Sequence, residues 1–178
     1  MTEKTQKVRW KFKIAFIGDS AVGKTSLILR YVKNFFKEDL KSTIGTNFMV
    51  KTVEIDGTTI QLLIYDIGAQ DTFKSMRTRY FHGSNASIAV FDLTRLNTLY
   101  ALPEWINSVK ETCGNIPFAI VGNKSDLVEE RTVPRVDAEG IANRFSCLYE
   151  ELSAKTGDNV ESLFEKITRE ILKDPRFL

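Results

Sequence analysis

The octapeptide Gly18-Asp19-Ser20-Ala21-Val22-Gly23-Lys24-Thr25 joins an apolar, strand-like run at residues 12–17 to an amphipathic run carrying Leu27, Ile28, Tyr31 and Val32. It fits the pattern G-x-x-x-x-G-K-[ST] between a strand and a helix, the context that gives this pattern its meaning. Glycines at both ends let the backbone turn its N–H groups inward around a phosphate, where a Cβ would obstruct approach. Lys24 adds a mobile charge able to reach the β- and γ-phosphates. Thr25 offers a small hydroxyl to Mg²⁺, an ion that takes octahedral oxygen ligands shared between protein, phosphate and water. The helix beginning here turns its unpaired N–H groups and positive dipole end to the same phosphates. A plain glycine turn is the competing reading, and the flanking elements weigh against it. The octapeptide implies a nucleoside triphosphate binder.

Around it the chain alternates strand-like and helix-like stretches. Strands are predicted at 11–17, 47–55, 58–65, 87–91, 118–121 and 147–152, and helices at 24–34, 100–112, 136–145 and 160–172. Asp56-Gly57 between the second and third strands is a strong hairpin signal, so one strand runs antiparallel. Six strands and about five helices give a three-layer α/β fold with a mostly parallel sheet and ligands at the strand C-termini. Residues 1–10 read as a flexible extension, 11–173 as one domain, and 174–178 as a short tail. At 178 residues the chain is a single domain.

Composition removes several alternatives. A formal net charge of +2 is too small to argue for nucleic acid or an anionic membrane. Apolar stretches are only strand-sized, so no transmembrane helix or signal-peptide core is expected and the protein should be cytosolic. Cys113 and Cys147 show no metal-ligand spacing. His82 is the only histidine, which excludes a histidine metal cluster or a Ser-His-Asp triad.

Two further signals stand at strand ends. Asp66 closes the run Leu62-Leu63-Ile64-Tyr65-Asp66 and is placed to hold Mg²⁺, commonly through water. Asn123-Lys124-Ser125-Asp126 follows the fifth strand and Ser153-Ala154-Lys155 the sixth. A carboxylate can accept hydrogen bonds from the N1–H and exocyclic amine of guanine, a donor pair that adenine lacks. The Asn123 amide can meet the N7 edge or tether neighbouring loops, a backbone N–H of the 153–155 loop can meet O6, and the Lys124 and Lys155 stems can flank the ring. Rejecting adenine by leaving polar groups unpaired is the strong form of discrimination.

Taken together, Gly18 to Thr25, Thr43, Asp66, Asn123 to Asp126 and Ser153 to Lys155 resemble the five nucleotide-binding motifs of the Ras superfamily of small GTPases. Residues 18–27, 42–48 and 80–83 are most similar to the Rab branch. The resemblance implies a P-loop NTPase fold and a monomeric switch that binds GTP with Mg²⁺ and hydrolyses it slowly to GDP and phosphate. It assigns Ser20, Ala21, Val22, Gly23, Lys24, Thr25, Ser26 and the Ala69 N–H to the phosphates, and Thr25, Thr43 and Asp66 to the metal. Asn123, Lys124, Asp126, Ser153, Ala154 and Lys155 fall to the base, and Gln70 acts catalytically beside Lys24 by orienting the attacking water. Phe36 matches an aromatic packed edge-on against guanine, or is simply a core residue. Phe48, Tyr65 and Tyr80 match an effector-facing trio, or are ordinary interstrand packing. A GTPase-activating protein and an exchange factor are implied as partners. Arg77 and Arg79 read as surface or partner-facing.

The pattern departs from the family in three places. Its second switch normally begins Asp-Thr-Ala-Gly-Gln-Glu, but here it reads Asp66-Ile67-Gly68-Ala69-Gln70-Asp71. Alanine keeps the N–H but loses free access to positive φ, so the hinge is expected to stiffen or move to Gly68, leaving binding intact and switching altered. Leu40 stands where an aromatic lid is common. Residues 173–178 carry no cysteine or prenylation motif, so membranes are expected to be reached through partners unless a lipidated end has been trimmed. Two other readings remain: a GTP-binding interaction module with negligible turnover, and an ATP-using kinase, which Asp126 argues against.

Overall fold

The structure, a computed structural model, describes residues 7–70 and 74–177. Residues 1–6 of the expected extension, Asp71 of the second-switch hexapeptide and Leu178 lie outside them.

Six strands form one sheet in the order β2-β3-β1-β4-β5-β6. These are β1 (Trp10–Ile17), β2 (Thr46–Ile55), β3 (Thr58–Ile67), β4 (Ala86–Asp92), β5 (Phe118–Asn123) and β6 (Leu148–Glu151). Only β2 is antiparallel, paired with β3. Asp56 and Gly57 both take positive φ, 49° and 75°, the twist a two-residue hairpin needs to return the chain in register. Every residue of β4 and β5 is buried, as expected of parallel strands covered on both faces.

The period-two alternation of the strands divides the core. Phe12, Ile14 and Phe16 point to one face and meet α1 (Lys24–Lys33) and α6 (Val160–Leu172) through Leu27, Ile28, Tyr31, Phe164 and Ile167. Ala15 and Ile17 point to the other, covered by α2 (Lys74–Phe81), α3 (Leu96–Tyr100), α4 (Leu102–Cys113) and α5 (Arg135–Phe145). Ala101 alone separates α3 from α4, so the six α-helical segments among the described residues make about five helical rods, as expected. Phe177, in a terminal 3₁₀ turn, sets its ring edge-on to Trp10 and Phe12 at centroid distances of 5.3 and 4.8 Å.

Three strands run further than their apolar residues indicate. β3 reaches Ile67, and Asp66 faces Asn47 in register. β4 and β5 extend to Asp92 and Asn123, which face each other. Ladder pairing continues through Asp66, Asp92 and Asn123, so these polar residues are held by the sheet itself. Gly18, Asp66, Asn123 and Ser153 thereby gather at one edge.

Candidate functional site

Gly23 is the pivot of the loop after β1. Its φ of 97° is left-handed, and a Cβ there would come within 2.1 Å of Asn123 Nδ2. As the N-cap of α1 it supplies no side chain, and the first turn of α1 holds no acid. The free N–H groups and positive end of α1 thus face the cleft uncompensated.

Lys24 is only 7% exposed and donates from Nζ to the carbonyls of Gly18 and Asp19, each at 2.7 Å. Burial pulls its ammonium down to about 8, against the opposing pull of the Asp66 and Asp19 carboxylates. Among the described residues its hydrogen bonds go to carbonyls, so the site is short of negative charge that an anion entering the cleft would supply.

Beside it three oxygens converge. Thr25 Oγ1 lies 2.7 Å from Thr43 Oγ1 and donates to Asp66 Oδ2 at 2.5 Å, while Thr43 Oγ1 is 3.3 Å from the same oxygen. Asp66 is 4% exposed, and its Oδ1 is buried without a hydrogen-bond partner among the described residues. Two hydroxyls and a carboxylate with an orphaned buried oxygen form a hard-oxygen donor set that fits Mg²⁺.

At the other end, Ser153 Oγ donates to Asp126 Oδ1 at 2.6 Å and accepts from the Thr156 N–H at 3.0 Å. Ser153 is fully buried behind Asp126, so it orients the carboxylate rather than lining the cleft. Asn123 takes the tethering alternative. Its Nδ2 donates to the Val22 carbonyl at 2.9 Å and its Oδ1 accepts from the Ala154 N–H at 3.1 Å, tying the phosphate loop to the 153–155 loop. Lys124, at φ 69°, anchors its ammonium on buried Asp92 at 2.7 Å. Burial works to raise the Asp92 carboxyl, and hydrogen bonds from Lys124 and Thr94 overcome it, holding the group below the usual carboxylate range. Lys155 reaches across the cleft to Glu38 at 2.7 Å.

Between these ends lies a cavity of about 380 Å³. Its wall includes Ser20, Ala21, Gly23, Lys24, Thr25, Ser26, Phe36, Thr43, Ala69, Gln70, Asn123, Lys124, Asp126, Ala154 and Lys155. Val22, Asp66 and Ser153 stand behind it. Val22 is a core residue whose carbonyl holds Asn123. Phe36 lines the cavity and packs partly on the first core cluster. Leu40 is in the wall too. Phe48 is 58% exposed and stacks on Tyr65 at 5.6 Å, whereas Tyr80 packs on the second core cluster.

One expectation is overturned. Arg77 is not a surface residue but is 9% exposed. Its guanidinium lies 4.2 Å from the Trp105 ring centroid and bonds to backbone carbonyls of the preceding loop. Sequence reasoning also missed Arg30, which donates from Nε to the Ala154 carbonyl at 2.8 Å and from Nη2 to the Lys155 carbonyl at 2.6 Å. Nothing local marks these roles, since the Ala154 and Lys155 carbonyls lie more than 100 residues from Arg30 and Trp105 is on another helix than Arg77.

The Gly68-Ala69 order has a steric meaning. Neither residue has positive φ, so Gly68 is not a left-handed hinge here. Its N–H donates to the Gly45 carbonyl at 2.8 Å, and a Cβ would lie 2.7 Å from that oxygen and 2.8 Å from the Thr43 carbonyl. The loop carrying Thr43 thus sits closer to residue 68 than the family's usual alanine allows. Gly68→Ala is expected to displace that loop at a cost of ~1–3 kcal/mol. Faster release of a fluorescent GDP analogue checks this, and an unchanged rate contradicts it.

The fold and the loop at 18–25 define a P-loop nucleotide-binding protein of the small-GTPase type. The sequence model of the Ras family matches residues 13–173, and the chain belongs to that family. It is similar to Ras-related protein Rab-31 of Homo sapiens, 38% identical over 162 residues that cover 90% of this chain and 83% of that protein. It is also similar to RABA4a of Arabidopsis thaliana, 36% identical over 168 residues covering 94% and 74%, and to human Rab-30, 38% identical over 166 residues covering 93% and 82%. These relatives place it on the Rab branch of the Ras superfamily of GTPases. Among the described residues no helix is long and apolar enough to cross a membrane.

Proposed function

We propose that the protein is a guanine-nucleotide switch that binds GTP with Mg²⁺, hydrolyses it slowly to GDP and phosphate, and acts in Rab-like trafficking or signalling. The observation that carries this reading is the two-ended cleft, with Lys24 and the Thr25–Thr43–Asp66 oxygens at one end and the Ser153-oriented Asp126 at the other. Lys24 and the N-terminal N–H groups of α1 bind the β- and γ-phosphates. Thr25, Thr43 and Asp66 hold Mg²⁺, which when bound neutralises charge developing on the phosphate oxygens. Gln70 orients a water in line with the γ-phosphate, so its contribution is positioning rather than strong basicity. Loss of the γ-phosphate releases Thr43 and the loop that carries it, and the protein changes its outer surface. Exposed Phe48, with Tyr65 and Tyr80, presents that change to effectors. A partner's arginine, worth ~10³ to 10⁵ in rate, makes the cycle fast. In this reading residues 11–173 are the GTPase domain of a cytoplasmic monomer.

The test is phosphate release from GTP under single-turnover conditions, for the wild type and Gln70→Leu. A measurable rate falling at least about tenfold in the variant is expected. The Gly68-Ala69 order favours a second reading, a GTP-binding module with negligible turnover. Equal, near-zero rates with nucleotide bound would favour it.

A further inference from the structure

Arg77 sits in α2 between a backbone segment and an aromatic ring. Nη2 donates to the carbonyls of Ala69 at 2.5 Å and Gln70 at 3.0 Å. Its guanidinium lies 4.2 Å from the centroid of the Trp105 ring, and Trp105 Nε1 donates to Asp19 Oδ1 in the phosphate loop at 3.1 Å. Arg77 and Trp105 are 9% and 8% exposed, so these contacts are largely shielded from water. A continuous path runs from the phosphate loop through α4 and Arg77 to the segment that carries Gln70.

Peptide units are planar, so a donor that holds a carbonyl oxygen restrains the whole plane. The Ala69 oxygen belongs to the plane before the Gln70 Cα, and the Gln70 oxygen to the plane after it. With both oxygens held, φ and ψ of Gln70 are restrained, and so is the direction in which its side chain leaves the backbone. Hydrogen bonds from a charged donor are about twice as strong as neutral ones, and the planar guanidinium, held over the Trp105 ring, presents Nη2 to both carbonyls. Arg77 does not line the main cavity. It faces a separate one of about 190 Å³ with Asp19, Trp105 and Glu104, and Ala69 borders both. Among the described residues its link to the cleft is the backbone of Ala69 and Gln70.

We propose that Arg77 is a positioning residue for hydrolysis, holding the Gln70 backbone so that the amide meets the attacking water. This rests on the reading of Gln70 given above. In this chain, where alanine stands at the usual glycine position, an arginine clamp sets the backbone geometry of the segment.

Single-turnover GTP hydrolysis and GDP dissociation test it across the wild type, Arg77→Met, Arg77→Lys, Gln70→Leu and the Gln70→Leu/Arg77→Met double variant. Arg77→Met is expected to slow hydrolysis about tenfold or more, since misplacement by an ångström costs on that order, while GDP release changes by less than about threefold. In the Gln70→Leu background the same change is expected to slow nothing further, because the group it positions is gone. Full additivity of the two losses, or an Arg77→Met rate equal to wild type, overturns the proposal. Where Arg77→Met fails to fold, Arg77→Lys carries the test: its nitrogen ends one atom short of the position of Nη2 and cannot reach both carbonyls from the same backbone, so slowed hydrolysis with unchanged GDP release is expected, and a wild-type rate overturns it. If Gln70→Leu alone leaves hydrolysis unchanged, the Gln70 assignment fails first and takes this proposal with it.

Discussion

Lys24→Ala is expected to weaken GDP binding by ~10² to 10³-fold, which is ~3–4 kcal/mol. The reason lies in the environment of Lys24 before any ligand arrives. It is 7% exposed, its ammonium is tied to two loop carbonyls, and its proton affinity is depressed by burial. Phosphate oxygens entering the cleft meet a cation whose desolvation is already complete, so most of the attraction appears as binding. Lys24→Met keeps the stem and removes the charge, separating packing from electrostatics. It should lose affinity to a similar degree while the ligand-free protein melts at nearly the same temperature, and the nucleotide-dependent rise in melting temperature should shrink. Calorimetric titration with GDP and Mg²⁺ measures the first effect. Affinity kept within about threefold of wild type would remove Lys24 from the phosphate site.

The second large effect concerns the base. Asp126→Asn is expected to weaken guanine nucleotides by ~10²-fold or more and to admit xanthine nucleotides. The direction follows from Ser153. Its hydroxyl accepts from the Thr156 N–H and donates to Asp126 Oδ1, so an asparagine amide there keeps its oxygen on Ser153 and turns its NH₂ toward the cavity. A donor in that place meets the extra carbonyl of xanthine and opposes the amine of guanine. Adding Ser153→Ala to Asp126→Asn should erode the xanthine gain, since the amide orientation is no longer fixed. Competition between GDP and xanthosine diphosphate measures both, and no gain for xanthine in Asp126→Asn contradicts the base assignment.

Much of this site is legible in the residues because its parts are local. A phosphate loop needs its glycines, lysine and threonine within eight positions, and Asn123 to Asp126 and Ser153 to Lys155 are short segments at strand ends. The hairpin at Asp56-Gly57 and the antiparallel β2 follow from turn chemistry alone. What escaped sequence reasoning depends on distant partners. Arg77 looks like any charged helix residue until Trp105 and the carbonyls of residues 69 and 70 are brought beside it. α2 itself, reading Lys-Ser-Met-Arg-Thr-Arg-Tyr-Phe, has no apolar stripe at helical spacing. It buries Phe81 at its end and Arg77 at its middle instead. Gly68 reads as a displaced hinge in the hexapeptide, whereas its use is close approach to the Gly45 and Thr43 carbonyls, a contact between segments more than 20 residues apart. β3, β4 and β5 include Asp66, Asp92 and Asn123 because sheet pairing, not hydrophobicity, holds these residues.

The central claim is that one guanine nucleotide is gripped at its phosphates by Lys24 and at its base by Asp126. The wild-type titration with GDP and Mg²⁺, repeated in excess ATP, tests it most directly. Saturable one-to-one binding that ATP does not displace is the predicted result. No heat of binding and no bound nucleotide by native mass analysis, or displacement by ATP, would contradict it.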